Sequence, residues 1–319
     1  LRSWQALSWP PSYCPKCKTP LKWYDNLPVI GWIKLGGRCR SCNEPISIRY
    51  PIVEAITGLL FAFYYVMFFL GDFGPCRYRG TSDGVTQFLP SPLEIQVHWP
   101  IYFLDMILIG ALLSASLIDA ELFIIPLEIP WVVVPFALAE HAVFDRPGWP
   151  GALTPSAPAA ALAAGAAVGL LISFILWYIG VLPASFAQGE PLLEVDKARL
   201  AVKGEEPQQR DYTPAEIRAE MRKEMLFLMP PLALGLAWVL LTWKAPAVGE
   251  FWSSVLRHEW ISGLLGSVLG LLVGGFVVWL TRILGSTAFG REAMGMGDVH
   301  LMAAVGAVLG PGQATVAFF

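Results

Sequence analysis

The sequence predicts an all-α polytopic membrane protein of about seven spans, with a small zinc-ribbon-like module ahead of the first span. Three observations carry this prediction. The 319 residues are 55% hydrophobic and 15% charged, with a mean hydropathy of +0.55, which is too apolar for an ordinary soluble domain. Several runs of about 20 residues are nearly free of charge, the length a helix needs to cross a ~30 Å hydrocarbon core with its backbone paired internally. Four of the five cysteines stand in a C-x2-C-x21-C-x2-C pattern. A collagen-like, disordered or disulfide-stapled chain is excluded by the same numbers. The formal net charge of -3 gives no bulk basic field, so nucleic acid is not an expected partner.

In chain order, residues 1–50 form the first domain. Cys14-Pro-Lys-Cys17 and Cys39-Arg-Ser-Cys42 make two knuckles that bring four thiolates to one tetrahedral zinc. Gly36-Gly37 permits the return turn between them. Four protein ligands leave no open position, so this metal would be structural. Two disulfides or free thiols are the alternatives, and a reducing compartment disfavours the disulfides. Cys76 has no partner in the pattern.

Residues 51–319 form the membrane domain. Spans are predicted over 51–70, 99–118, 122–143, 158–182, 225–243 and 261–284. A seventh starts at Val299, meets Gly310-Pro311-Gly312 and stops at Phe319. Native sequence is expected beyond both ends, and no cleavable signal peptide is visible. Between the fourth and fifth spans lies a linker, 183–224, with 16 charged residues. It reads as a solvated connector rather than a docking surface. Near its end, Thr213-Pro214-Ala-Glu216 predicts a helix start with Thr213 as N-cap, Pro214 at the first position and Glu216 at the third. Residues 151–169 are rich in Ala and Gly, which let helices approach closely in lipid.

Sidedness follows from the basic residues. Residues 1–51, the linker and residues 281–300 hold 17 of the 22 Lys and Arg, which assigns them to the cytoplasm. Counting spans then places Asp119 and Asp298 on that same side. Both stand at span ends, where an ionisable group is costly enough to suggest function. Gly295 and Gly297 leave the backbone before Asp298 open to an extended substrate. Two carboxylates within hydrogen-bonding reach do not readily ionise together, so one keeps a proton while the other activates water against a peptide carbonyl. Such a pair titrates as a unit, and no separate acid and base are assigned. Taken singly, Asp119 has the alternative reading of an interfacial charge and Asp298 that of a helix cap; the two on one side, at the ends of two spans, favour the site. Asp105 lies mid-span, while Glu54, Glu121 and Glu128 read as tuning or capping groups. His98, Glu140 and His141 fall near the outer side, too far away to join the site.

These residues resemble the prepilin peptidase family, the type IV leader peptidases of pilus and type II secretion systems. The resemblance is carried by Cys14-Pro-Lys-Cys17, Trp23-Tyr-Asp-Asn-Leu-Pro-Val-Ile30, Gly37-Arg-Cys-Arg-Ser-Cys42, Pro45-Ile-Ser-Ile-Arg-Tyr-Pro51, Leu117-Ile-Asp119 and Gly295-Met-Gly-Asp298. It implies a GxGD-type aspartic endopeptidase in the bacterial inner membrane, active at the cytoplasmic face, with Asp119 and Asp298 as its dyad. The substrates implied are prepilins and pseudopilins, whose leaders it removes. Many members also methylate the new N-terminus with S-adenosylmethionine, and such members typically carry the cysteine module. Leu127 and His300 depart from the family's usual acidic or amide residue and lysine. The aspartates lie 179 positions apart, farther than the family suggests, and two added spans with the charged linker account for this. The rival readings are a non-catalytic assembly factor that keeps the zinc module for docking, and a proton-coupled transporter relaying protons through Asp105 and Asp119.

Overall fold

The computed structural model describes residues 13–70, 95–146, 149, 151–186 and 212–319. The chain divides into two compact units, Leu1–Gly71 and Asp72–Phe319. Cys76 and residues 187–211 of the linker lie outside the described residues.

The first unit is built on two hairpin knuckles that repeat with an offset of 25 residues. Tyr13 bridges Pro20, and Arg38 bridges Pro45. The Cys14 N–H donates to Thr19 O at 3.0 Å, and the Cys39 N–H donates to Glu44 O at 2.8 Å. In each knuckle the residue after the second cysteine turns left-handed, Lys18 at φ 57° and Asn43 at φ 55°. Between the knuckles come a 3-10 turn, Trp23–Asp25, and the short helix α1, Ile30–Lys34. Gly36 and Gly37 follow at φ 60° and 69°, the conformation the return turn needs. Trp32 closes the loop by donating from Nε1 to Ile46 O at 3.0 Å. Helix α2, Arg49–Tyr65, continues as a π-helical turn to Leu70. Its Glu54 accepts the Val29 backbone N–H at 2.7 Å, so this early carboxylate anchors the loop before α1.

The second unit contains α3 (Ile95–Leu122), α4 (Glu128–Val143), α5 (Ala157–Tyr178), α6 (Pro214–Lys244), α7 (Pro246–Leu256), α8 (Glu259–Phe289), α9 (Met296–Leu309) and α10 (Pro311–Phe318). No extended strand occurs among the described residues. Among the described residues, five helices are long and apolar enough to cross a membrane: the α2 stretch to Leu70, α3, α5, α6 and α8. The run expected over 122–143 is shorter. Helix α3 persists to Leu122, Phe123 turns at φ 55°, and Pro126 precedes α4, which keeps 16 residues. The run expected from Val299 is α9, a shorter apolar helix that ends where Gly310 adopts φ 84°. The predicted start at Thr213 is present as a full capping box with Glu216. The charged end of the linker and the next span are one continuous helix, α6.

Helix α8 packs against α4, α5, α6, α7, α9 and α10. A stripe of glycines makes this possible. A Cβ on Gly263 would lie 1.9 Å from His141 O, and one on Gly270 would lie 1.9 Å from Gly306 O, so these backbones meet without side chains between them. Gly270→Leu should force α8 and α9 apart and destabilise the protein by about 1–3 kcal/mol. Thermal unfolding in detergent checks this, and an unchanged midpoint would refute the close crossing. A core of Leu104, Leu108, Val133, Val134, Ala137, Ala304 and Val308 joins α3, α4 and α9. Those are the elements that hold the two predicted aspartates.

Candidate active site and cysteine cluster

The four cysteines meet as the spacing predicts. Their sulfurs all lie within 4.8 Å of one another, with Cys14 Sγ to Cys42 Sγ at 3.8 Å and Cys17 Sγ to Cys39 Sγ at 3.9 Å. None of the four is in a disulfide. Sulfurs at ~2.3 Å from a tetrahedral zinc stand about 3.8 Å apart, so the donor set fits that ion. The thiols are already unequal. Hydrogen bonds from the Thr19 hydroxyl and backbone favour the Cys17 thiolate and bring its pKa down to about 6. The backbone N–H groups of Cys42 and Ser41 lower Cys39. The Glu44 backbone N–H favours ionisation of Cys42, yet burial and the three neighbouring sulfurs push it up to about 12. A cation held by Cys14, Cys17, Cys39 and Cys42 would supply the positive charge that four crowded thiolates lack. Two surface ion pairs brace the knuckles, Lys16 Nζ to Glu44 at 2.6 Å and the Arg40 guanidinium to Asp25. The Arg40 guanidinium beside Asp25 holds that carboxyl below its ordinary range.

In the second unit, Asp119 occupies the last turn of α3 and is exposed. The Phe123 N–H closes that turn on Asp119 O at 2.8 Å. Asp298 is partly buried in the first turn of α9, three residues after the Gly295 N-cap. Its carboxylate accepts the Gly295 N–H and lies within the electrostatic reach of Asp119 and Arg282. The α3–α4 connection runs directly over this turn. A Cβ on Gly297 would stand 2.8 Å from Ile125 Cβ and 3.2 Å from Ile125 O. The second glycine of the motif therefore admits the neighbouring loop, and with it the end of α3 that carries Asp119. His300, one turn along α9, packs its ring 5.8 Å from that of Trp131 and faces Met296 O from Nδ1 at 2.8 Å.

Arg282 is the residue that sequence reasoning missed. It entered only as one of the basic residues that set sidedness, yet its side chain is 1% exposed. Its Nε and Nη2 face the Glu224 carboxylate at 3.4 Å. Nη1 reaches Glu292 Oε1 at 2.6 Å and also donates to Met294 O. Trp279 Nε1 donates to Glu224 Oε2 at 2.8 Å, and the guanidinium lies 5.6 Å from the Phe186 ring centre. One arginine thus ties α6, α8 and the backbone leading into Gly295-Met-Gly-Asp298. The signal available in the sequence was a lone arginine inside an apolar helical run.

The remaining candidates fall elsewhere. Glu121 and Glu128 are exposed near the α3–α4 turn. Asp105 is buried in α3. Glu140 and His141 belong to the far end of α4, about 20 Å along the helix from its start.

Comparison with known proteins bears on the N-terminal part. Residues 2–68 match the family described as bacterial peptidase A24 N-terminal domain. The chain is 39% identical over 101 residues to the prepilin leader peptidase/N-methyltransferase of Klebsiella pneumoniae, covering 29% of this chain and 44% of that protein. It is 53% identical over 57 residues to the Myxococcus xanthus protein of the same name, covering 18% and 17%. With the Escherichia coli type 4 prepilin-like proteins leader peptide-processing enzyme it shares 46% identity over 56 residues, covering 18% and 21%. These matches span less than half the length of each relative. No solved structure matches the chain. Over its N-terminal residues the chain is thus similar to the prepilin peptidase family.

Proposed function

We propose that this chain is a membrane aspartic endopeptidase that removes the leader from type IV prepilins or pseudopilins at the cytoplasmic face of the inner membrane. What supports the reading is the close approach of Gly297 to Ile125, which lays the loop that follows Asp119 over the first turn of the helix that carries Asp298. Asp119 and Asp298 lie 179 positions apart, and Asp119 is among the charges acting on Asp298. Sharing one proton, the pair deprotonates a water for attack on the scissile carbonyl, while the protonated carboxyl hydrogen-bonds the carbonyl oxygen as it gains charge. The proton then passes to the leaving amine. The names of the relatives support the substrate class.

The same names support a second step, transfer of a methyl group from S-adenosylmethionine to the newly exposed amine. No residue is assigned to that donor. Cys14, Cys17, Cys39 and Cys42 would hold a structural zinc, whose chemistry here is to fix the knuckles. Cys14→Ser or Cys39→Ser should release that zinc and loosen the module. Zinc content and amide exchange of purified variants check this, and unchanged zinc would remove the four-thiolate site.

The test of function is cleavage of a prepilin-like peptide in detergent micelles, read by mass spectrometry. Cleavage at the leader junction is expected, with a methyl increment on the mature fragment. An intact peptide in the presence of folded protein would exclude the peptidase.

A further inference from the structure

We propose that Glu140, His141 and Asp145 form a binding site for a divalent transition-metal ion. The site is independent of the cysteine cluster and of the aspartate pair. One ligand atom from each of the three lies within 4.8 Å of the others, and all three residues are well shielded from solvent. His141 is fully buried. Its Nδ1 stands 3.0 Å from Asp145 Oδ2 and 3.3 Å from Glu140 Oε2, and its Nε2 stands 3.1 Å from Val308 O.

The chemistry of these contacts calls for a cation. A neutral imidazole has one N–H, and the Val308 carbonyl, which accepts only, takes it at Nε2. The Nδ1 lone pair then points at two carboxylates, so three acceptors converge on one place. A single proton there would serve Nδ1 and Asp145 and leave the second carboxylate uncompensated. The Glu140 side chain is 10% exposed, and its Oε2 is buried with no hydrogen-bond partner among the described residues. A dication balances both carboxylates and takes the nitrogen lone pair as well.

The surroundings fit a metal centre. The Nε2–H bond to a backbone carbonyl is the outer contact that orients a metal-bound histidine. Asp145 Oδ2 is held by the Leu153 N–H at 2.8 Å. The adjoining cation, Arg146, turns outward to Glu259 at 3.3 Å. Beside the ligands is a cavity of about 10 Å³, bordered by His98 and Trp149, roughly the room one water-sized ligand needs. One imidazole nitrogen with two carboxylates suits zinc or a neighbouring first-row dication rather than a soft thiolate-seeking ion.

Zinc binding to the full chain in detergent tests this, with Cys14→Ser and Cys39→Ser introduced together to disable the first cluster. That variant should hold one zinc per chain after dialysis, and zinc should raise its melting temperature. Adding Glu140→Gln should weaken zinc binding at least tenfold and abolish the thermal shift, without lowering the metal-free melting temperature, since it removes an uncompensated buried carboxylate. His141→Gln should also lose the metal. A parent variant that retains no zinc above background would overturn the proposal, as would zinc retained undiminished in both Glu140→Gln and His141→Gln. Peptide cleavage plays no part in the readout.

Discussion

Asp298→Asn should reduce leader cleavage by about 10²–10⁴-fold, with the protein still folded and in the membrane. Asparagine keeps the size of the side chain and accepts the Gly295 N–H through its amide oxygen, so the first turn of α9 is preserved. What it removes is the ability to hold or share a proton. Asp119→Asn should have an effect of similar size without a folding defect, because the residue is exposed at the end of α3. The separating measurement is the melting temperature beside the cleavage rate. A loss of cleavage together with a collapse in melting temperature would return Asp298 to the role of a helix-terminal residue. Full cleavage by either folded variant would remove the dyad.

Arg282→Ala should destabilise the protein by about 3–5 kcal/mol, because it leaves the Glu224 carboxylate buried without its partner. The Glu224 side chain is 3% exposed, and Trp279 Nε1 alone would remain to satisfy it. Arg282→Lys should rescue little. A compact ammonium has no planar fork with which to face Glu224, Glu292 and Met294 O together. Replacing the pair by apolar residues, Arg282→Met with Glu224→Leu, should recover much of the lost stability. Cleavage should stay low in that double variant, since the Met294 carbonyl at the entry to the glycine motif is still released. Equilibrium unfolding in detergent and the cleavage rate read the two consequences separately. A melting temperature for Arg282→Ala equal to that of the wild type would refute the network.

Much of this architecture was legible because it is local. The C-x2-C knuckles, the Thr213 capping box and the glycines before Asp298 are short-range patterns, and the structure shows each in place. The boundary of α4 was less legible. Hydropathy runs unbroken from Leu122 to Val143, and only the left-handed Phe123 with Pro126 shows that the chain turns before the helix begins. The knuckle repeat shows in the sequence only as Cys14, Cys17 and Pro20 against Cys39, Cys42 and Pro45, because the positions between them differ: Lys18 and Thr19 correspond to Asn43 and Glu44. Non-local pairings were beyond reach altogether. Arg282 and Glu224 are 58 positions apart, and Val308 meets His141 across 167. No periodicity in one sequence specifies which buried charge faces which, because that follows from how α4, α6, α8 and α9 pack.

If Asp119 and Asp298 act as one unit, their substitutions are non-additive. Single-turnover cleavage of a prepilin-like peptide would be measured for the wild type, Asp119→Asn, Asp298→Asn and the double variant. The expected result is cleavage by the wild type, a loss in each single variant and no further loss in the double. Independent, multiplying losses, or a single variant that cleaves as the wild type does, would contradict it.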